Sequence, residues 1–319
     1  MNKKEETMIK YDISIVIPFL NEKDNLKKLI AELDDYLLTL NNLKAEVIFV
    51  DDGSTDGSSD ILEGMKHISC SATIIKLSRN FGTHAALRAG VLHSSGKFVT
   101  FMFADLQDPL SLIDKLYSKC SEGYDIVLAY RKNIKANFME SFFSKLYARL
   151  MRMFVIKDFP NKGFDIVMFN QKVRDVLNQN IENNSSFLLQ ILTLGFKKSS
   201  VIYDKNIRFS GKSKWSLSKK IKMVIDSFVS FSYVPIRFVS IMGIVLSSLG
   251  FVWMSYIIVR TIIFRDLNPG WPSLIAILLL GFGITNISLG IIAEYLWRTL
   301  DASRNRKSFI IDKIYSINK

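Results

Sequence analysis

Two stretches near the C-terminal end of this chain, Phe238 to Val259 and Pro272 to Ala293, contain no charged side chain, and each is long enough to cross a bilayer as a helix. Buried helices of a soluble domain would also be apolar. Two such runs in succession, bordered by Trp271, Tyr295 and Trp297 as interfacial aromatics, favour spans. Lys205, Arg208, Lys212, Lys214, Lys219, Lys220 and Lys222 precede the first run, and Arg298, Arg304, Arg306, Lys307 and Lys313 follow the second. Only Arg260, Arg265 and Asp266 stand between them. By the positive-inside rule both termini are expected in the cytoplasm, with the short loop around Asn268-Pro269-Gly270 outside. The expected location is the cytoplasmic (inner) membrane.

The rest of the chain is too charged to be membrane bundle. At 319 residues, 49% hydrophobic, with mean hydropathy +0.18, two parts are implied, one globular and one spanning. A net charge of +12 would suit nucleic acid, but the cations form no stripe interleaved with aromatics and instead crowd beside the apolar runs. An anionic membrane surface and phosphorylated substrates are the expected partners, and nucleic acid is not. Cys70 and Cys120 lie far apart without a CxxC pair, which fits a reducing setting without a disulfide framework. The first ten residues carry mixed charges, so no signal peptide is expected there.

The globular part alternates strand and helix. Ile13 to Pro18 reads as a buried strand, and Glu22 to Leu40 places Leu26, Leu29, Ile30, Leu33 and Leu37 on one helical face. Glu46 to Val50 is a second strand ending at Asp51-Asp52-Gly53-Ser54, after which Thr55 and Asp56 can cap a helix to about Met65. Thr73 to Leu77 leads into a helix over Thr83 to His93, and Lys97 to Phe103 is a fourth strand. Asp125 to Ala129 and Ile166 to Phe169 read as further strands, and Val173 to Leu192 as broadly helical. This alternation predicts an α/β, doubly wound parallel sheet, whose ligands sit outside the carboxyl ends of the strands. Asn137 to Val155 is an amphipathic helix that fits either a membrane surface or a core with solvated cations. The lysine-rich Ser216 to Ser232 reads as an interfacial helix.

Asn21-Glu22, Asp51-Asp52 and Asp105-Gln107 all fall at strand ends, so acidic and amide groups converge on one crevice. In Phe103-Ala104-Asp105-Leu106-Gln107-Asp108-Pro109 an apolar strand stops at oxygen ligands suited to a hard divalent cation, which would neutralise the phosphates of a nucleotide. Arg208 to Trp215, with Gly211, two serines and three cations, reads as an anion-binding loop or a basic linker. His67, His84 and His93 lack ligand spacing, and no GxSxG elbow is present.

Val16 to Glu22, Asp51 to Asp56, Ser78-Arg79-Asn80-Phe81-Gly82, Ala104 to Pro109 and Arg208 to Lys214 together resemble the inverting GT-A (Rossmann-like) glycosyltransferases of family 2 that act on polyprenyl phosphate. Dolichol-phosphate mannosyltransferases and the bacterial undecaprenyl-phosphate glucosyltransferases are of this kind. The resemblance implies a GT-A catalytic domain over 1–215, an interfacial helix over 216–233, a two-helix membrane domain over 234–297 and a cytoplasmic basic tail over 298–319. It implies that Pro18, Asn21, Glu22, Asp51 and Asp52 hold the nucleoside of a nucleotide-sugar, with UDP expected. Asp105 and Gln107 would bind Mg²⁺ or Mn²⁺ on the donor diphosphate, and Arg208, Ser213 and Lys214 would close over it. Asp105 and Asp165 are the catalytic candidates, Asp165 orienting the reacting groups. Arg131, Lys145 and Arg149 are candidates for the acceptor phosphate. A homo-oligomer, a tetramer, is also in keeping with the resemblance.

Phe103 is a departure, because many relatives carry aspartate there and a phenyl ring offers no oxygen to a cation. Asp105 and Gln107 are expected to suffice, since Mg²⁺ commonly keeps several waters. The implied reaction is transfer of a sugar to a polyprenyl-phosphate lipid. The alternatives are a processive polysaccharide synthase, for which no QxxRW signature is present, and a membrane-tethered nucleotide-sugar-binding regulator without catalysis.

Overall fold

In the computed structural model of the chain, residues 9–40, 43–65, 68–132, 138–157, 159–160, 164–181, 186–206, 229, 232, 234–264, 270–304 and 306–317 are described. The chain divides into two compact units, Met1–Lys220 with Lys307–Lys319, and Ile221–Arg306.

The first unit is built on one eight-stranded sheet. Its strands are β1 (Tyr11–Phe19), β2 (Ala45–Asp51), β3 (Ser71–Leu77), β4 (Gly96–Phe101), β5 (Ile126–Arg131), β6 (Phe164–Asn170), β7 (Lys198–Tyr203) and β8 (Ile311–Ile317). They lie in the order β7-β5-β6-β4-β1-β2-β3-β8. The helices are α1 (Lys23–Thr39), α2 (Ser58–Glu63), α3 (Thr83–Leu92), α4 (Leu112–Ser121), α5 (Phe138–Phe154), α6 (Gln171–Gln179) and α7 (Phe187–Thr193). Ile13 to Phe19 and all of β2 are buried, as a sheet covered on both faces requires. Leu26, Leu29, Leu33 and Leu37 bury one stripe of α1, each leucine stabilising by about 1.5–3 kcal/mol. Gly90 lets α3 lie close on the sheet, because a Cβ there would stand 2.2 Å from Val16 Cγ1.

The sheet is mixed rather than parallel throughout. β6 runs antiparallel to both β4 and β5, and β8 runs antiparallel to β3. The reversal of β6 has a consequence for the site. Its first residues, Phe164 and Asp165, lie at the edge where the parallel strands finish, with Phe164 opposite Tyr130 and Arg131 opposite Tyr203.

Four sequence expectations are corrected. Strand β4 ends at Phe101, so Phe103 belongs to the following loop, where its ring packs edge-to-face on Phe101 at 6.1 Å. Helix α2 spans only Ser58–Glu63, because Gly57 in the left-handed region starts it late. The helical stretch over 173–192 is two helices, α6 and α7. In the stretch expected as a basic tail, Ile311–Ile317 form β8, with Ser78 N donating to Ile310 O at 2.9 Å beside it.

The second unit contains α8 (Val234–Phe264) and α9 (Trp271–Ser303), which cover both expected spans. Within them Ile236–Trp253 and Leu280–Asp301 are long and apolar enough to cross a membrane, and neither is buried. Ile262 is 73% exposed and Phe251 66%. Leaving so much apolar surface in water is unfavourable at about 25 cal/mol per Å². The hydroxyls of Ser240, Ser248, Ser255, Thr285 and Ser288 each donate to the carbonyl four residues earlier, at 2.8–3.1 Å, so they demand no partner outside the helix.

Candidate active site

At the carboxyl edge of the sheet the loops after β1, β2 and β3 are laced together. Asn21 adopts φ +52°, donates its N–H to Ser54 Oγ at 2.9 Å and accepts from Thr55 N at 2.8 Å. Glu22 N donates to Ser58 Oγ at 3.0 Å, and Glu22 Oε2 accepts from Asn25 Nδ2 at 2.6 Å. Asp51 is fully buried, accepting from Ser54 N at 2.8 Å and from the hydroxyl of Ser59. Asp52 accepts from Phe81 N at 2.7 Å and Gly82 N at 3.0 Å, joining the β2 loop to the β3 loop. Burial pushes the Asp52 carboxyl upward, the two backbone donors oppose this, and the charge of Asp51 adds to the rise. Gly53 has to be glycine: its φ is +76°, and a Cβ would sit 2.5 Å from the backbone of Arg79. The residues expected around a nucleoside, Pro18, Asn21, Glu22, Asp51 and Asp52, are thus gathered at one place. In the chain alone both aspartates are anchors of their loops.

The loop after β4 carries Asp105 and Gln107, both partly exposed, on either side of Leu106 at φ +58°. A non-glycine residue in this region is costly and tends to persist where function requires it. Asp105 Oδ1 accepts from Gln107 N at 3.2 Å, which closes the turn. Among the described residues no group of three or more His, Cys, Asp or Glu side chains is gathered for a metal. One carboxylate and one amide suit a cation whose remaining ligands are diphosphate oxygens and waters, as Mg²⁺ accepts.

Beside this loop stands a charged cluster that spacing along the chain does not reveal. Asp108, whose side chain has no exposed surface, accepts from the Tyr203 hydroxyl at 2.6 Å and lies 3.5 Å from Lys205 Nζ. Lys205 Nζ is 3.4 Å from Asp165 Oδ2, and Asp165 is also ion-paired with Arg131. Asn206 N donates to Gln107 O at 2.7 Å. Burial lowers the pKa of Lys205, Asp108 and Asp105 raise it, and Arg131 lowers it. Burial and Asp108 push Tyr203 far upward, so it remains a donor. Asp108 Oδ2 and Arg131 Nε are buried without a hydrogen-bond partner among the described residues.

Arg131 and Asp165, expected at the acceptor side, are therefore in contact. Lys145 and Arg149 lie exposed on α5. Arg208, Ser213 and Lys214 lie outside the described residues, as do the loop that follows Asn206 and all of the expected amphipathic helix but residues 229 and 232. Sequence reasoning missed Asp108, Tyr203 and Lys205. The available signal was Asp108 within the Asp105 motif and a short apolar run, Val201-Ile202-Tyr203, just before a lysine.

Comparison with known proteins decides the family. The profile of glycosyl transferase family 2 matches residues 14–189, which runs from within β1 through β6 and includes the Asp105 motif. The chain belongs to glycosyl transferase family 2. This family 2 enzyme has relatives that match along nearly its whole length. An uncharacterised glycosyltransferase of Synechocystis sp. is 35% identical over 96% of this chain and 96% of its own. The prophage bactoprenol glucosyl transferase homolog of Escherichia coli is 30% identical, covering 95% and 99%. The undecaprenyl-phosphate 4-deoxy-4-formamido-L-arabinose transferase of Klebsiella pneumoniae is 30% identical, covering 95% and 93%. The family 2 transferase is thus similar along nearly its whole length to relatives named for bactoprenol and undecaprenyl-phosphate transfer, and it has a mixed sheet and two apolar C-terminal helices.

Proposed function

We propose that this enzyme transfers a sugar from a nucleotide-sugar, with UDP as the nucleotide, to undecaprenyl phosphate at the cytoplasmic face of the membrane. The reaction proceeds with inversion and yields a lipid-linked monosaccharide. The observation that carries this reading is that Lys205, 3.5 Å from Asp108 in the loop that carries Asp105 and Gln107, also lies 3.4 Å from Asp165 of the Asp165–Arg131 pair. Relatives named for transfer to undecaprenyl phosphate support the acceptor.

In the step itself an oxygen of the lipid phosphate forms a bond to the anomeric carbon while the bond from that carbon to the donor diphosphate breaks. The nucleoside diphosphate carries away the electron pair. A phosphate acceptor is already anionic near neutral pH, so positioning and stabilisation of the leaving group dominate over proton removal. Asp105 and Gln107 would hold Mg²⁺ or Mn²⁺, which when bound supplies charge neutralisation for the departing diphosphate. Arg131 offers a guanidinium to the acceptor phosphate, and Asp165 orients the pair. Arg208, Ser213 and Lys214 are proposed to add charge-assisted hydrogen bonds on the donor side.

Phe143, Leu146 and Met153 are exposed on α5 beside Lys145 and Arg149, which supports a helix lying at the lipid surface. The chain leaves the sheet at β7 and returns to it at β8 after both apolar helices. If α8 crosses the membrane outward, α9 has to bring the chain back. That supports two crossings with both flanks on one side of the membrane, and the positive-inside rule makes that side the cytoplasm. Purified enzyme in vesicles with undecaprenyl phosphate and a panel of labelled UDP-sugars is expected to form one lipid-linked monosaccharide. Donor binding without product across the panel would overturn the assignment in favour of a regulator, and long polymer would indicate a synthase.

A further inference from the structure

We propose that Lys205 is a positioning residue for transfer: held by the buried carboxylate of Asp108, its ammonium fixes Asp165 on the acceptor side of the crevice. This role rests on the transferase reading above for its kinetic consequence alone.

The four partners come from four strand ends. Asp108 follows β4, Arg131 ends β5, Asp165 begins β6 and Lys205 follows β7. A lysine has a flexible stem, and holding it in one place costs side-chain entropy. Lys205 is held nevertheless, with a side chain 16% exposed and an ammonium 3.5 Å from Asp108 and 3.4 Å from Asp165. Its base is fixed as well. The hydroxyl of Tyr203 donates to Asp108 on one side of it, and Asn206 N donates to Gln107 O on the other. Asp108 has no exposed side-chain surface and cannot swing to another partner, so it fixes Lys205 relative to the loop that carries Asp105 and Gln107.

Asp165 is then held from two directions, by Arg131 from β5 and by Lys205 from β7. A carboxylate with a single cationic partner can rotate about its side-chain torsions, whereas two partners on different strands restrict it. Neutralising Asp108 alone would not require the ammonium to be shared with Asp165. A buried ion pair is in any case a poor source of net stability, and specificity of arrangement is the better reason to retain one. The donor loop and the acceptor-side aspartate are thereby set at a fixed separation, which is the requirement of a displacement between two bound substrates.

The test uses the full chain in vesicles. Lys205→Met is expected to lower kcat by about a hundredfold while KM for the UDP-sugar stays within about twofold. Lys205→Arg, which keeps the cation, should recover kcat to within about tenfold of the wild type. The double variant Asp108→Asn with Lys205→Met removes both charges, and should regain thermal stability relative to Lys205→Met without regaining kcat. Recovery of kcat in that double variant would overturn the proposal, because Lys205 would then serve only to neutralise Asp108. An unchanged kcat in Lys205→Met would overturn it too. A second measurement is independent of transfer. Thermal unfolding of Lys205→Met, Asp165→Asn and their combination should be non-additive, since both remove one contact, and additive shifts would show that Lys205 does not hold Asp165. Absence of lipid-linked product in the wild type would count against the transferase assignment, while this cycle would still decide the hold of Lys205 on Asp165.

Discussion

The hydroxyl of Tyr203 donates to Asp108 Oδ1 at 2.6 Å, tying the last residue of β7 to the loop that follows β4. Neither residue is exposed, and Tyr203 stays protonated because burial and the neighbouring carboxylate both resist its ionisation. Tyr203→Phe keeps the ring and removes the hydroxyl, leaving Asp108 with Lys205 at 3.5 Å. A hydrogen bond to a buried charged group contributes about 1.5–3 kcal/mol. The variant is expected to lose stability by an amount in that range, read as a lower unfolding temperature, and an unchanged melting curve would show that the bond contributes nothing.

Asp105 and Phe103 should respond in opposite ways to truncation. Asp105 is the one carboxylate assigned to the cation, so Asp105→Ala should abolish transfer even at high Mg²⁺ or Mn²⁺, and chelation should do the same to the wild type. Phe103 offers no oxygen and contributes an edge-to-face contact with Phe101, an interaction of about 0.5–1.5 kcal/mol beyond its buried area. Phe103→Ala should therefore be less stable yet active. Full transfer by Asp105→Ala would remove the cation seat from the mechanism.

His84 lies in the first turn of α3 with Nδ1 buried and, among the described residues, without a hydrogen-bond partner. Burial, with a smaller contribution from Arg88, lowers its pKa from 6.5 to about 4. The unfolded chain binds this proton over that window and the folded chain does not, so stability is lost as pH falls from 6.5 toward 4 and changes no further below it. The loss is on the order of 3 kcal/mol for a shift of this size. His84→Leu removes the titrating group and an unpaired polar atom together. Its denaturation midpoint should vary less between pH 6.5 and 4 than that of the wild type, and an equal slope in both proteins would assign the acid sensitivity elsewhere.

The parts readable from sequence were those with a periodic or punctuated signal. Alternating apolar strands and helices placed β1 to β4 within a few residues, and the loops Asn21-Glu22, Asp51-Asp52 and Asp105-Gln107 stand together at one edge. Strand direction was not readable, because Ile166 to Phe169 is equally apolar in either sense and only its neighbours β4 and β5 make it antiparallel. β7 alternates inward and outward residues over a short edge, and Ile202 is 57% exposed, so no buried run announced it. β8 was hidden for another reason. It follows two long apolar helices, and its partner β3 lies more than two hundred residues earlier, a pairing without a local signal. Tyr203, Lys205 and Asp108 come together only because β5, β6 and β7 are adjacent, which explains why motif spacing exposed Asp105 and Gln107 but not them.

The return of the chain to the sheet at β8 makes the membrane topology testable with thiol chemistry. Cys70 and Cys120 are both buried, and burial with the nearby charge of Asp125 pushes the Cys120 thiol up to about 12. Neither should react appreciably with an impermeant maleimide in the folded protein, since the thiolate is the reactive form. A cysteine introduced at Gly270, ahead of α9, or at Ser308, between α9 and β8, then reports its own side of the membrane. Gly270→Cys should be labelled in intact cells if, as proposed, the loop between the two crossings faces outward. Ser308→Cys should be labelled only after permeabilisation, because it lies a few residues before a strand paired with β3 in the catalytic sheet. Labelling of both sites in intact cells, or of neither, would mean that α8 and α9 do not cross as an outward and returning pair.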